Sequence, residues 1–476
     1  MNVIHLSAEC YPVAKVGGLG DVVGALPKYQ NNLGIKAAVV MPYYDKKFTQ
    51  ENTFDTVYKG LVNLGSLQFE FEVLKESADK LGFPLFLIRI PGLLDRPEVY
   101  SYQDETEQFV TFQLAFLNWA SQLDEKPDVV HCHDHHTGLI PFLMYYSASF
   151  KSLAGIPTVC TIHNGQYQGW MSWDKFYYLP DIDPWKTGLL DWNGAINPLA
   201  SSVKCSWKYT TVSPSYLSEL TVNSNGLEAL FEMEKEKGVG IINGIDTAVW
   251  NPETDPMLVS TYNLNTAKKG KQENKRWLCK EFGFTLGKPL ISFIGRLVGE
   301  KGADLLPEIL TQCLTSLKGK VNFLILGSGD PVLEEQLTAL KTDFKKSLNC
   351  FIGYNEELSH KIYAGSDFLL MPSRVEPCGL NQLYSLRYGT VPIVRSTGGL
   401  KDTVIDFEEE EGYGICFDNA DTHSACQAIE RAVNLYSNTA LLQLLRKRMM
   451  ALDYSWDKSA NQYINLYNSL TSTNEL

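Results

Sequence analysis

Short, nearly unbroken apolar runs that alternate with segments of helical spacing are the strongest constraint on this chain. Residues 3–8, 37–41 and 85–90 are mostly apolar, and runs this short read as buried strands. Residues 22–33 and 105–123 carry apolar side chains at helical spacing. Residues 128–132, 158–162 and 210–212 return to strand, with a helix at 137–146. Such alternation implies a parallel sheet covered by helices on both faces. The pattern breaks around 242–252 and passes through a polar, lysine-rich stretch at 266–280. It then resumes with strands at 290–294, 321–326, 350–352, 368–371 and 391–394, and with helices at 305–317, 331–345, 379–388 and 424–436. The expectation is an α/β chain of two Rossmann-like, doubly wound domains, 1–242 and 243–455, facing a central cleft where strand ends bind ligands. Residues 456–470 form a lone amphipathic helix after the second pattern ends.

Composition narrows the partners. A net charge of −13 argues against nucleic acid or an anionic membrane as partner, so any phosphate site must be a local basic cluster. The ten cysteines contain no C-x-x-C pair, which removes zinc knuckles and redox dithiols from consideration. Reduced thiols, no basic stretch before the first strand and no apolar run of membrane-spanning length give the expectation of a cytoplasmic protein.

Lys15-Val16-Gly17-Gly18-Leu19-Gly20-Asp21 lies between the first strand and a helix. Glycines allow close backbone approach, a helix start offers N–H groups, and Lys15 adds a full charge, which together suit a phosphate-bearing ligand. A tight strand-to-helix turn accounts for the same residues. The glycine spacing misses the dinucleotide fingerprint G-x-G-x-x-G by one residue. A short echo, Gly398-Gly399-Leu400-Lys401-Asp402, would also open a helix after a strand.

Five of the eight histidines fall between residues 131 and 163. His131-Cys132-His133-Asp134-His135-His136 looks like a metal cluster, but neighbours on a strand point to opposite faces and H-E-x-x-H is absent, so no metal site is assigned. The better reading is a strand end with Asp134 and one or two histidines facing a ligand. His163-Asn164 follows the next strand directly, where His163 suits a sugar-contacting or catalytic role. In the second half, Gly295-Arg296 closes a strand and Lys301 follows, two cations placed to face a diphosphate. Ser373-Arg374-Val375-Glu376-Pro377-Cys378-Gly379-Leu380 follows another strand. It joins a carboxylate, Glu376, to a possible backbone cradle at Cys378, Gly379 and Leu380. Tyr354, after Gly353 at a further strand end, offers an aromatic face to a base.

Together these segments resemble the bacterial glycogen synthase and plant starch synthase family, retaining glucosyltransferases of the two-Rossmann-domain GT-B type. The resemblance runs in order over nearly the whole chain: Lys15-Val16-Gly17-Gly18-Leu19, Pro127 to Asp134, Thr161-Ile162-His163-Asn164, Ile242-Asn243-Gly244-Ile245-Asp246 with Trp250-Asn251-Pro252, Gly327-Ser328-Gly329-Asp330, Glu376 to Leu380 and Thr397 to Val404. It implies transfer of glucose from ADP-glucose or UDP-glucose to the non-reducing end of an α-1,4-glucan, with no cofactor and no metal. It also implies that segment 456–476 packs back on the first, acceptor-side domain. On this basis His163, Arg296, Lys301, Glu376 and Asp134 are the candidate catalytic residues. Lys15, Gly17, Gly18, Asn243, Tyr354, Cys378, Gly379 and Leu380 are the candidate donor-binding residues.

The chain departs from the family pattern at Val16, where many members have threonine beside the donor phosphates, which leaves the base open. His135 replaces a common tryptophan and Leu94 a frequent tyrosine, both on the acceptor side. Tyr384 stands where some other GT-B enzymes carry a second glutamate. Two rival functions stay open: a glucan phosphorylase, for which no pyridoxal-phosphate lysine segment is evident, and a silent glucan-binding scaffold.

Overall fold

The structure, a computed structural model, describes residues 1–472. Residues 473–476, part of the expected C-terminal segment, lie outside the described residues. The chain divides into two units, Met1–Asn243 with the segment from Trp456 onward, and Gly244–Ser455.

The first unit is built on nine strands: β1 (Asn2–Leu6), β2 (Lys36–Pro42), β3 (Phe54–Leu64), β4 (Leu67–Glu76), β5 (Leu85–Arg89), β6 (Val129–His133), β7 (Thr158–Ile162), β10 (Lys208–Thr211) and β11 (Gly238–Gly240). A small pair, β8 (Asp191–Trp192) and β9 (Ala195–Ile196), stands apart. The spatial order is β11-β10-β7-β6-β1-β2-β5-β4-β3. Seven strands run parallel, and β4 is antiparallel to both β3 and β5. The β3–β4 hairpin is absent from the sequence reading. Its strands alternate exposed and buried residues, so they present no continuous apolar run.

Helix Gly18–Asn32 follows β1 and buries Leu19, Val22, Val23 and Leu26. The C-terminal helix, Trp456–Thr471, belongs to this unit. Its Trp456, Ala460, Tyr463, Tyr467 and Leu470 recur every three or four residues and pack with Val3, Val22, Leu26, Val129 and Val159.

The second unit holds β12 (Leu290–Ile294), β13 (Asn322–Gly327), β14 (Leu348–Ile352), β15 (Phe368–Met371), β16 (Val391–Arg395) and β17 (Ile415–Phe417), all parallel, in the order β14-β13-β12-β15-β16-β17. The lysine-rich stretch is not a mere break: it forms the 16-residue helix Ala267–Phe282. Its buried face is polar, which hid it from apolar periodicity. Lys271 Nζ donates to the carbonyls of Tyr363, Ala364 and Tyr388 and to Thr390 Oγ1. Lys275 pairs with buried Asp367 at 2.5 Å, and Arg446 pairs with the same carboxylate at 3.0 Å.

Each sheet reverses its strand order beside its first strand, between β1 and β6 in one unit and between β12 and β15 in the other. Ligands of open α/β sheets bind beyond the carboxyl ends of strands at such reversals. The segments after these four strands carry the Lys15 loop, Asp134, Arg296 with Lys301, and Glu376. No helix among the described residues is long and apolar enough to cross a membrane.

Candidate active site

After β1 the chain turns through Lys15-Val16-Gly17-Gly18. Buried Glu9 organises this turn: its Oε2 accepts the N–H groups of Val16 at 2.6 Å and Gly17 at 2.9 Å, and its Oε1 accepts the Tyr100 hydroxyl at 2.7 Å. The expected N–H cradle is therefore partly occupied by the protein's own carboxylate. Lys15 Nζ lies 2.7 Å from Asp21 Oδ1. The glycines differ in kind. A Cβ on Gly24 would meet the Tyr11 carbonyl oxygen at 2.4 Å, so packing requires that glycine, whereas a Cβ on Gly17 or Gly18 would meet nothing within 4 Å. Neither Gly17 nor Gly18 has a positive φ. Nothing within the fold demands glycine there, and the open space in front of them is available to a ligand.

The echo in the second unit has the opposite logic. Helix Gly398–Thr403 does follow β16. A Cβ on Gly398 or Gly399 would lie 2.1 Å from the Glu376 carbonyl oxygen or 2.0 Å from that of Cys378. These glycines let the segment press against the chain that carries Glu376, and Gly399 N donates to Glu376 O at 3.0 Å.

At the end of β6, Asp134 takes a positive φ of 55° and is buried, a conformation that costs a non-glycine residue energy. Its Oδ1 accepts the His163 backbone N–H at 2.7 Å. Burial raises the carboxyl to about 7, against the pull of the His163 and Asn164 N–H groups. Burial lowers the His163 imidazole to about 3, which keeps the ring neutral at physiological pH. His163 Nε2 lies 3.0 Å from His133 Nδ1.

Two trios bring donor atoms within 4.8 Å of one another: His5, His131 and His133, and Glu105, His135 and His136. Residues two apart on β6 share a face and meet His5 from β1, while their adjacent neighbours point to the opposite face. All six ring nitrogens of the first trio have hydrogen-bond partners within the protein. In the second, Nδ1 of both histidines has no hydrogen bond among the described residues, and the His136 ring is packed between Tyr100 and Phe109.

In the second unit, Lys301 Nζ lies 2.7 Å from both carboxylate oxygens of Glu376. Ser373 Oγ donates to Glu376 Oε2 at 3.0 Å. Glu376 is buried and Lys301 partly so. Gly302 makes this possible: at φ 66° its Cα lies where a Cβ would meet the Pro372 carbonyl oxygen at 2.1 Å. The backbone N–H groups of Arg374 and Val375 donate to the Glu300 carbonyl, and Arg374 binds Asp304, so the two loops are held together. The Arg296 guanidinium remains 64% exposed and lies 3.5 Å from Glu300. Tyr354 is 84% exposed beyond β14. Helix Asn381–Arg387 starts after the Cys378-Gly379-Leu380 turn, where Gly379 has φ 73° and Gln382 Nε2 donates to the Cys378 and Gly379 carbonyls. Asn243 is buried, and its Oδ1 has no hydrogen bond among the described residues.

The structure thus joins Lys301 to Glu376, and His163 to Asp134 and His133. It also adds Glu9, Tyr100 and Ser373, which sequence reasoning missed. Glu9 had a visible signal, a lone carboxylate at the end of an apolar strand. Tyr100 had none, because its importance lies in a long-range contact, whereas Ser373 stands three residues before Glu376 in the segment already singled out.

Comparison with known proteins agrees in extent. Residues 2–233 match the starch synthase catalytic domain family and residues 277–448 the glycosyl transferases group 1 family. The chain is 54% identical over 468 residues to a glycogen synthase of Flavobacterium johnsoniae, covering 98% of this chain and 99% of that one. A glycogen synthase of Bacillus cereus is 38% identical, with 99% and 100% covered. Among solved structures, the catalytic domain of starch synthase IV from Arabidopsis thaliana, bound to ADP and acarbose, superimposes with a TM-score of 0.88 at 32% identity, covering 99% of each chain. With this extent of agreement over both units, the chain belongs to the glycogen synthase and starch synthase family, GT-B hexosyltransferases that elongate α-glucans from a nucleotide-sugar donor.

Proposed function

We propose that this enzyme transfers glucose from ADP-glucose to the non-reducing end of an α-1,4-glucan, with retention, in the cytoplasm. The observation that carries the site assignment is the Lys301–Glu376 pair: a buried carboxylate held on both oxygens by a cation, in a loop that follows a strand at the sheet's reversal. The ADP in the related starch synthase structure favours adenine over uracil as the base, while Val16, half-exposed beside the glycines, leaves UDP-glucose as the alternative. Ten free thiols suit a reducing compartment.

The reaction breaks the bond between the anomeric carbon and the diphosphate, so negative charge develops on the departing nucleotide while the sugar becomes oxocarbenium-like. Arg296 and Lys301, with Lys15, neutralise that charge, and a fixed cation of this kind contributes roughly 3–4 kcal/mol to the transition state. The open surface at Gly17 and Gly18 lets a phosphate approach the backbone. Asn243, Cys378, Gly379 and Leu380 add polar contacts to the donor, and Tyr354 stacks on the base. Both oxygens of Glu376 are engaged by Lys301 and Ser373. That engagement suits a carboxylate that holds sugar hydroxyls better than one that attacks carbon. Retention then follows from front-face attack: the acceptor hydroxyl bonds to the anomeric carbon on the side the phosphate leaves, and its proton passes to the departing phosphate oxygen. His163 lies at the glucosyl group and Asp134 on the acceptor side.

The test is glucose incorporation into glycogen from ADP-glucose and, separately, UDP-glucose. Incorporation that is faster from ADP-glucose supports the proposal. Incorporation from UDP-glucose alone overturns the base assignment, and none from either, in folded protein, overturns the activity.

A further inference from the structure

Beneath His163 lies a continuous buried chain of hydrogen bonds. His163 Nε2 meets His133 Nδ1 at 3.0 Å, His133 Nε2 meets His5 Nδ1 at 3.0 Å, and His5 Nε2 meets Gln30 Oε1 at 2.8 Å. Gln30 Nε2 donates to the Tyr467 hydroxyl at 3.2 Å, and that hydroxyl lies 2.6 Å from His131 Nδ1. His131 Nε2 continues to Thr161 Oγ1 at 2.6 Å and thence to Thr210 Oγ1 at 2.6 Å. His5, Gln30, His131, His133, Thr161 and Tyr467 have no solvent exposure. Tyr467 comes from the C-terminal helix, more than 300 residues from His163 in sequence.

A neutral imidazole carries one proton and one lone pair, so in a row of neutral rings each ring's tautomer dictates the next. The sense of the row is set at Gln30. Its amide nitrogen is committed to Tyr467, so its carbonyl oxygen faces His5 and obliges His5 Nε2 to carry the proton. His5 Nδ1 is then bare and accepts from His133 Nε2–H, and His133 Nδ1 accepts from His163 Nε2–H. Burial holds every ring neutral. His163 is left with a lone pair on Nδ1, which has no hydrogen bond among the described residues. A carboxamide oxygen accepts a hydrogen bond but does not take up the proton at these pH values, so the row ends there. It holds an orientation and does not conduct protons.

We propose that Gln30 and Tyr467 are positioning residues that lock His163 in the Nε2–H tautomer, presenting Nδ1 as an obligate acceptor for a hydroxyl of the bound sugar. This rests on the placement of His163 at the glucosyl group proposed above. Two residues outside the ligand site, one on the helix after β1 and one on the chain's last helix, then decide what His163 offers its substrate. Rotating the Gln30 amide by half a turn would reverse every tautomer in the row and leave His163 a donor at Nδ1.

The experiment is nitrogen-15 NMR of the full chain labelled on histidine, with the His163 signal assigned by its loss in His163→Gln. It is paired with donor kinetics for Gln30→Met and Tyr467→Phe. The expected result in the unsubstituted protein is a protonated Nε2 and a bare Nδ1 on His163. Gln30→Met, which keeps side-chain length and removes the amide, should populate the other tautomer and lower kcat about tenfold with KM for donor nearly unchanged, and Tyr467→Phe should do so by about fivefold, the scale of one lost hydrogen bond. A variant that is merely less stable would lose melting temperature and leave the tautomer signal in place. A protonated Nδ1 on His163 in the unsubstituted protein overturns the proposal, and so does an unchanged tautomer in folded Gln30→Met. If the tautomer responds as expected but His163→Gln is fully active, the lock stands and the placement of His163 at the sugar falls.

Discussion

Six of the eight histidines lie in the first unit, and burial lowers all six: His5 and His135 to about 4, His163 to about 3, and His131, His133 and His136 well below the ordinary 6.5. In the unfolded chain each binds a proton as pH drops through 6.5, while in the folded chain it does not. A depressed histidine therefore stabilises the fold above 6.5 and loses that contribution as pH falls toward its folded value. Between pH 7 and pH 5.5 the loss is on the order of 1 kcal/mol for each of His5, His135 and His163. Asp134 acts in the other direction: raised to about 7, it binds its proton in the folded state first and returns stability on the order of 1–2 kcal/mol over the same interval. From the three histidines with values the first unit loses a net amount on the order of 2 kcal/mol, and His131, His133 and His136, also held low by burial, add to that loss. The carboxylates held low in the second unit, Asp255, Asp367 and Asp406, release their stabilisation only below pH 4, while burial holds Lys271 well below its ordinary value, so that unit too loses stability as pH falls toward the folded value of that lysine. Urea unfolding at pH 7 and 5.5, followed by hydrogen exchange resolved by peptide and corrected for the intrinsic rate, reads the two units separately. The expected result is a first unit whose unfolding midpoint drops at pH 5.5. A first unit unchanged at pH 5.5 would refute the argument that these imidazoles are buried and neutral.

Lys301→Ala is expected to lower kcat by about 10²–10³, by removing a cation from the leaving diphosphate and freeing buried Glu376 from its partner; a fall below tenfold in steady-state assays would remove Lys301 from the transition state. Gly17→Ala meets no atom within 4 Å, so its melting temperature should hold or rise, by up to about 1 kcal/mol of stability, while donor KM increases; unchanged kinetics would assign the glycine to the turn alone. Gly24→Ala, by contrast, drives a methyl into the Tyr11 carbonyl and should destabilise the first unit in thermal denaturation, and a fully stable variant would contradict the packing described. Because fixed protein cations are assigned to the leaving group, prior treatment with a chelator should leave the rate of glucose transfer unchanged, and loss of activity restored by a divalent cation would place a metal in the reaction.

The parts of the fold that announced themselves were those whose burial is continuous. Strands such as β2, β13 and β15 are apolar throughout or nearly so because both sheet faces are covered. Where burial alternates, as in β3 and β4, or where the buried face is polar, as at Lys271, Asn274 and Lys275, the same physics leaves no run to find. The site divides in the same way. Lys15, His163, Arg296 and Glu376 stand at strand ends, where residue type and local context suffice to draw attention. Glu9 accepting the Tyr100 hydroxyl, and Tyr467 reaching Gln30, depend on which distant segments pair. The two glycine motifs look alike in sequence, yet Gly17 faces open space and Gly399 faces a carbonyl at 2.0 Å, a difference that no single segment carries.

The return of the chain to its first unit has a consequence for synthesis. Residues 1–243 leave the ribosome long before Trp456 does, with Val3, Val22, Val129 and Val159 lacking the helix that covers them and Gln30 lacking Tyr467. The unit made first is therefore finished last, while Gly244–Ser455 emerges whole and can fold at once. A nascent chain stalled before Trp456 would hold an open apolar strip on its amino-terminal half, which closes only once the helix Trp456–Thr471 has emerged.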